Sequence, residues 1–282
     1  MLTMTDLRQS LQFGKYSKAI GWKVEKISDC QVFIRKLPFI GSIIKIQRPN
    51  SIFFKKIDEL AKKYQALFVK LEPIQPFSEE TRRQLYDHSF CHDSWPLLAS
   101  KTIWIDLTKS KEKLWKEIIK DTRYCIRKAK KEDIKILRHC DIESFYNEFK
   151  RFGKGYIPKK NDFQALVKSF GKSAILLSVN DLAGALILIH GKTAYYYYAF
   201  TSPLGRKKFA QPLLVWEAIK LAKTLKCHIF DFEGIEDSRY KVTRKWHGFS
   251  RFKKSFGGRE VEFPGSFSKY YHPIAKLLFK KN

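Results

Sequence analysis

Three strand-like runs, Ala174–Val179, Ala183–His190 and Thr193–Phe200, follow one another with no helix between them. A long helical stretch, Phe209–Lys226, then leads into a further strand, His228–Phe232. This order constrains the fold more than any other feature of the chain. Strands joined by short turns (Asn180–Asp181, Gly191) form a meander, and the helix then separates it from the next strand. Upstream lie a strand at Thr102–Leu107, a basic helix at Lys111–Lys131, a strand at Ile134–Arg138 and helices at Asp141–Phe152 and Asn161–Phe170. Strict alternation of strand and helix is missing, which argues against a dinucleotide-binding Rossmann domain.

The first half echoes the second. Leu60–Pro73 overlays Leu221–Gly234 without a gap, each a helix end feeding a strand that closes on a glutamate, Glu72 or Glu233, before Pro or Gly. The helical stretch Leu7–Gly21, the strands Trp22–Ile27, Gln31–Leu37 and Ser42–Gln47, the helix Ile52–Tyr64 and the strand Ala66–Leu71 precede a turn-rich stretch, Phe77–Ser100. The expectation is an α/β (α+β) chain of two tandem GNAT-like acyltransferase domains, with mixed sheets flanked by helices. Residues 1–98 form the first, residues 99–263 the second, and a tail of residues 264–282 packs back on the first.

Composition narrows the partners. The 282 residues carry 55 Lys and Arg against 28 Asp and Glu, a net +27, while 44% hydrophobic and 15% aromatic residues are ample for packed cores. Such a chain is not a disordered basic tail. Its charge favours nucleic acid or an anionic membrane face, because released counterions or anionic headgroups supply binding energy. Met1–Ser10 is polar with no signal-peptide core, and no apolar run approaches the roughly 18–20 residues of a spanning helix. Cys30, Cys91, Cys125, Cys140 and Cys227 are scattered and form no C-x-x-C, which suits free thiols. A soluble, cytoplasmic monomer is expected.

Two clusters invite a metal reading, His88 with Cys91, His92 and Asp93, and His139-Cys140-Asp141. Neither has the paired ligand spacing of zinc sites, so no metal and no other cofactor is expected. Arg206-Lys207-Lys208-Phe209-Ala210 has the arginine of a coenzyme A loop but lacks the paired glycines whose amides cradle a pyrophosphate. The segment Ser250–Gly258 stands out more. Lys253 and Lys254 sit among aromatics before Gly257-Gly258, where the chain can turn sharply, and a lysine so held supplies a fixed charge to an oxyanion or a phosphate. A basic hairpin before a last strand accounts for the same residues without chemistry.

With these pieces the sequence resembles the Fem aminoacyltransferases (FemA, FemB and FemX type), which add amino acids from aminoacyl-tRNA to the peptidoglycan stem peptide. The matching stretches run nearly end to end: Leu11-Gln12-Phe13-Gly14 with Gly21-Trp22-Lys23-Val24, Gln47-Arg48-Pro49, Ile105-Asp106-Leu107-Thr108, Ile126-Arg127-Lys128-Ala129, Asp231-Phe232-Glu233-Gly234-Ile235, and Phe252-Lys253 before Phe256-Gly257-Gly258. The resemblance implies two GNAT-like domains and a peptidoglycan precursor, UDP-linked or lipid-linked, as acceptor. It implies that Lys253 stabilises the transition state with Phe252 beside it, and that Tyr196 and Tyr198 border the substrate groove. Strand alternation puts those two tyrosines on one face, with Tyr195 and Tyr197 packing behind. Glu72 stands where the family has an aspartate before proline. The family's diphosphate-holding lysine falls at Ser17, flanked by Lys15 and Lys18, and its arginine before a proline falls at Ile157-Pro158, near Lys154.

On the basic helix Arg123, Arg127, Lys130 and Lys131 gather largely to one side, with Ile126 opposite, and suit sequence-independent phosphate contact along with Lys254. Trp246 and Phe249 interleave with charges over Arg239–Arg251, as where a nucleic-acid end stacks. The tail Tyr270–Lys281 mixes apolar and basic residues, which suits either a helix packed back on the first domain or contact with the anionic inner leaflet. The other enzyme class that fits is an N-acyltransferase of the same fold, with another acyl donor, acting on an envelope amine or sugar. A non-catalytic RNA- or membrane-binding module is the third.

Overall fold

The computed structural model describes residues 5–75, 78–132, 134–138, 141–179 and 181–279. His139 and Cys140 of the second metal-like cluster, and the last residues of the tail, lie outside them. The chain divides into two compact units: Met1–Lys101 with Glu236–Lys245 and Glu262–Asn282, and Thr102–Ile235 with Trp246–Val261. Among the described residues no helix is long and apolar enough to cross a membrane.

The first unit opens with α1 (Leu11–Ala19), whose N-terminus is capped by Ser10 accepting from the Phe13 amide. There follow β1 (Lys23–Ile27), β2 (Cys30–Leu37), β3 (Gly41–Gln47), α2 (Phe54–Lys63) and β4 (Ala66–Glu72). The turn-rich stretch holds α3 (Glu79–Asp87) and the short β5 (Cys91–His92). Alternation on the strands sends Val32, Ile34, Ile44, Ile46, Val69 and Leu71 into one core, closed by Ile57 and Ala61 of α2 and Leu85 of α3.

The second unit holds β6 (Lys101–Asp106), α4 (Lys111–Glu117), α5 (Lys120–Lys131), β7 (Leu137–Arg138), α6 (Ile142–Phe152) and α7 (Lys160–Phe170). Then come β8 (Ala174–Val179), β9 (Ala183–His190), β10 (Thr193–Thr201), α8 (Pro203–Lys207), α9 (Ala210–Thr224), β11 (Ile229–Asp231), α10 (His247–Lys254) and β12 (Arg259–Glu262). Its sheet runs β12-β6-β11-β10-β9-β8-β7. The basic helix expected over Lys111–Lys131 is two helices. Ile118 and Ile119 are extended at the break, where the Ile119 amide donates to Ser255 O at 3.0 Å instead of continuing the helix. The chain ends in the first unit with β13 (Phe267–Tyr270) and α11 (Pro273–Phe279), giving that unit's sheet the order β1-β2-β3-β4-β13-β5.

The echo between the halves is structural. In each unit an antiparallel pair, β2–β3 or β9–β10, is followed by a helix and then by a strand parallel to the last, β4 or β11. Even the exit from the helix is the same. The Tyr64 amide donates to Leu60 O and that of Gln65 to Lys62 O, while Leu225 donates to Leu221 O and Lys226 to Lys223 O. Gln65 (φ 49°) and Lys226 (φ 58°) both take left-handed backbone at that turn. The fold is thus a tandem of two GNAT-like units, each a mixed sheet with helices against it.

Candidate active site

In the second unit β10 and β11 pair over Thr193–Tyr195 with Ile229–Asp231 and no further. β10 runs on to Thr201, whereas beyond β11 the chain turns through Glu233 (φ 60°) and Gly234 (φ 135°). Where the two strands stop pairing, a pocket of about 470 Å³ opens. Tyr196, Tyr198, Phe252, Lys253 and Lys154 all line it, so one cavity gathers five of the residues singled out in the sequence.

Lys253 reaches it from the last turn of α10. Phe249, Phe252, Lys253 and Phe256 fall at helical spacing on one side of that segment, which is a helix and not a hairpin. Phe252 packs edge-on against Phe256 at 5.3 Å, and Lys253 Nζ lies 5.2 Å from the Phe249 ring centroid. Gly257 (φ 80°) and Gly258 (φ 82°) then reverse the chain, and a Cβ on Gly258 would stand 2.5 Å from Trp104 O. Lys253 Nζ donates to Phe232 O at 2.8 Å and Gly234 O at 2.6 Å, the carbonyls released where β11 stops pairing with β10. Among the described residues these take two of the three ammonium hydrogens, which leaves one for a ligand. Burial pushes the Lys253 ammonium down to about 8, against the pull of the Glu233 and Asp231 carboxylates. Asp231 is itself pushed up to about 6, by burial and then by Glu233, although Thr102 Oγ1 (2.6 Å), Trp104 Nε1 (2.8 Å) and the Glu233 amide (2.8 Å) all donate to it.

The tyrosine strand departs from simple alternation. Tyr196 faces Ile187 and Tyr198 faces Leu186, so Tyr197 is an extra residue in a β-bulge. Tyr196 therefore packs with Phe230 and Phe232, and Tyr198 with Phe149 and Phe163 on the α6–α7 side. Tyr197 lines the pocket instead of packing behind, where Tyr195 is fully buried. Gln211, at the start of α9, donates to the Tyr196 hydroxyl and accepts from Thr201 Oγ1 at 2.8 Å. Sequence reasoning missed Gln211 and Tyr197. Two adjacent residues of β9 opposite two tyrosines that are not adjacent is a pairing fact, absent from either strand alone.

Other expected site residues fare differently. Arg123 donates to Lys116 O (2.9 Å) and Ile118 O (2.5 Å), tying its guanidinium to the end of α4. Ile126 is buried on the face that Arg123 and Lys130 border, not opposite them, because seven residues bring Lys130 back beside Arg123 at 3.6 per turn. Lys130 Nζ lies 4.0 Å from Glu217 and Lys254 Nζ 2.6 Å from Glu260, while Arg127, Lys128 and Lys131 are exposed. In the first unit Lys15 and Lys18 are exposed on α1 and Ser17 is buried. Glu72 is buried at the end of β4 and does not line an open groove, since its Oε1 accepts from the amides of Leu97 (2.7 Å) and Leu98 (3.0 Å). Burial raises its pKa, opposed by Arg48 and Lys70. The histidines of the metal-like cluster make other contacts: His88 stacks on Phe54 at 4.3 Å, His92 hydrogen-bonds the Tyr240 hydroxyl at 3.0 Å, and Asp93 pairs with Lys70 at 2.7 Å.

Residues 177–280 match the family model described as the FemAB family. The crystal structure of FemX is similar with a TM-score of 0.79 at 16% identity, over 99% of this chain and 96% of that one. The C-terminal domain of a putative lysylphosphatidylglycerol synthetase from Agrobacterium fabrum gives 0.60 at 11% identity, over 97% and 92%. A tandem GNAT protein from the clavulanic acid biosynthesis pathway gives 0.55 at 8% identity, over 90% and 84%. No curated protein matches the sequence. At such identities the structural likeness is one of fold. The resemblance read from the sequence is borne out by the family match and by the FemX-like fold of nearly the whole chain.

Proposed function

From the FemAB family match over residues 177–280 and the FemX fold that spans the chain, we propose that the protein moves an amino acid from aminoacyl-tRNA to the stem-peptide amine of a peptidoglycan precursor. The observation that carries this reading is Lys253, an ammonium fixed by two backbone carbonyls at the edge of an aromatic pocket with one hydrogen to spare. An aminoacyl ester is already activated, so the protein has to supply positioning and charge. The acceptor nitrogen attacks the ester carbonyl, and its new C–N bond makes a tetrahedral oxyanion that faces Lys253. Collapse breaks the bond to the ribose oxygen, and the proton shed by the nitrogen ends on the ribose hydroxyl. Phe252 walls the pocket beside Lys253, Tyr196 and Tyr198 flank the aminoacyl group, and Lys154 at the rim meets phosphate. In the first unit Lys15 and Lys18 are proposed for the anionic part of the acceptor, and Glu72 positions the loop at Leu97-Leu98 that would contact it.

The test is transfer of a radiolabelled amino acid from charged tRNA to a muramyl-pentapeptide, with and without ribonuclease treatment of the donor. Ribonuclease should abolish transfer. Transfer that survives it and requires an acyl-coenzyme A would instead establish the N-acyltransferase alternative.

A further inference from the structure

At the tip of the β2–β3 hairpin, Leu37–Ile40 forms a turn closed by the Ile40 amide donating to Leu37 O at 3.3 Å. Pro38 is its second residue and Phe39, at φ 63°, its third. That is the type II pattern, whose third position favours Gly or Asn. Phe39 is fully exposed and Ile40 is 61% exposed. A phenylalanine there holds left-handed backbone and gains no burial, so folding supplies no reason for it.

The surroundings supply one. Behind the turn an open groove of about 1220 Å³ reaches to the end of α2, with Leu67 and Tyr271 among its apolar lining. Lys23, Lys36, Lys62 and Lys63 stand around it, and among the described residues none that lines it is acidic. Glu25, 3.5 Å from Lys23 Nζ and 3.9 Å from Lys63 Nζ, offsets one of the four charges. His272 lines the same groove and leads into α11, where Leu277 is 83% exposed. Two protruding apolar side chains are too little area for a stable protein interface. With a collar of cations they suit reversible binding at a uniformly anionic surface.

We propose that the Pro38-Phe39-Ile40 turn and its lysine collar dock the protein on an anionic bilayer. Phe39 and Ile40 enter the boundary between headgroups and acyl chains, and the lysines hold the headgroups. This docking is independent of the reaction proposed above and needs no turnover to be seen.

Co-sedimentation with phosphatidylglycerol vesicles, against phosphatidylcholine vesicles, tests it on the full chain. The wild-type protein should bind the anionic vesicles, more weakly as salt rises, and ignore the neutral ones. Phe39→Asn should reduce binding at least about tenfold. Its melting temperature should hold or rise, because Asn accepts the left-handed backbone. Ile40→Ser is the second tip variant and should act in the same direction. Lys36→Gln and Lys62→Gln should each weaken binding about fivefold. Equal binding by the tip variants and the wild type overturns the proposal. So does a wild type that ignores phosphatidylglycerol, since a protein partner would then be the occupant, or one that binds both vesicles alike, since the lysines would then hold no anionic headgroups.

Discussion

Lys253 joins two demands that pull against each other. In the proposed reaction its ammonium must be charged to face an oxyanion, yet burial holds its pKa down to about 8, with Glu233 and Asp231 keeping it from falling further. Transfer should therefore fall as pH rises through about 8, as the charged form is lost. Stability has the opposite sign. The pKa is depressed on folding, so the unfolded chain binds the extra proton between about 8 and 10.5, and the contribution of this group to stability grows with pH over that window. A purely structural lysine would give the stability trend without the loss of rate. Glu233→Gly removes a carboxylate that raises the Lys253 pKa, at a residue held at φ 60° where glycine is at ease. The descending limb of the rate profile should move to lower pH in that variant. Lys253→Ala should lower turnover by about 10²–10³, and a rate within a factor of three of wild type would sink the assignment. Lys253, Phe252 and the glycine pair were readable in the sequence because they are contiguous and chemically distinctive. Asp231 and Gln211 act through long-range pairings, Thr102 with Asp231 and Tyr196 with Gln211, that no local pattern records.

At the scale of elements, α5 shows how a charged helix divides its labour. Arg123 serves the end of α4, whereas Arg127 and Lys131 are exposed. Arg123→Ala should cost about 1–3 kcal/mol of stability, the usual range for losing a charged donor to backbone carbonyls, and leave the salt dependence of the proposed tRNA binding unchanged. Arg127→Glu with Lys131→Glu should leave the melt unchanged and reduce the slope of log K against log salt by about 0.7–0.9 for each phosphate no longer neutralised. Thermal melts and binding titrations at several salt concentrations separate the two. If Arg123→Ala alone flattens the slope, the exposed face is not the phosphate-binding one. The order of strands and helices was readable because hydropathy period reports it. The break at Ile118-Ile119 was not, since no Gly or Pro marks it and its cause, the bond to Ser255 O, comes from far along the chain. The β10 bulge was hidden for a related reason: four tyrosines in a row have no period to interrupt.

At the scale of the whole molecule, the first unit is made of three separate stretches of chain. β13 is an inner strand of its sheet, pairing with β4 on one side and β5 on the other. Phe267 enters the core, and Lys269 Nζ pairs with Asp58 at 2.6 Å. Without β13, β4 becomes an edge strand and Lys70 and Asp93, a buried pair, meet water. An unpaired edge beside an opened core invites aggregation. A chain ended after Phe263 should therefore lose the first unit, because stripping an inner strand removes a large part of the about 5–15 kcal/mol that holds a domain folded. A chain ended after Tyr271 keeps β13 and its contacts to Asp58, and gives up α11 with the buried Ala275. It should melt a few degrees lower, the effect of about 1–2 kcal/mol in a chain of this length. Circular dichroism melts and size-exclusion profiles of the two truncations decide the matter. Equal behaviour of the two would mean that β13 is dispensable and that the first unit closes on its first two stretches, Met1–Lys101 and Glu236–Lys245.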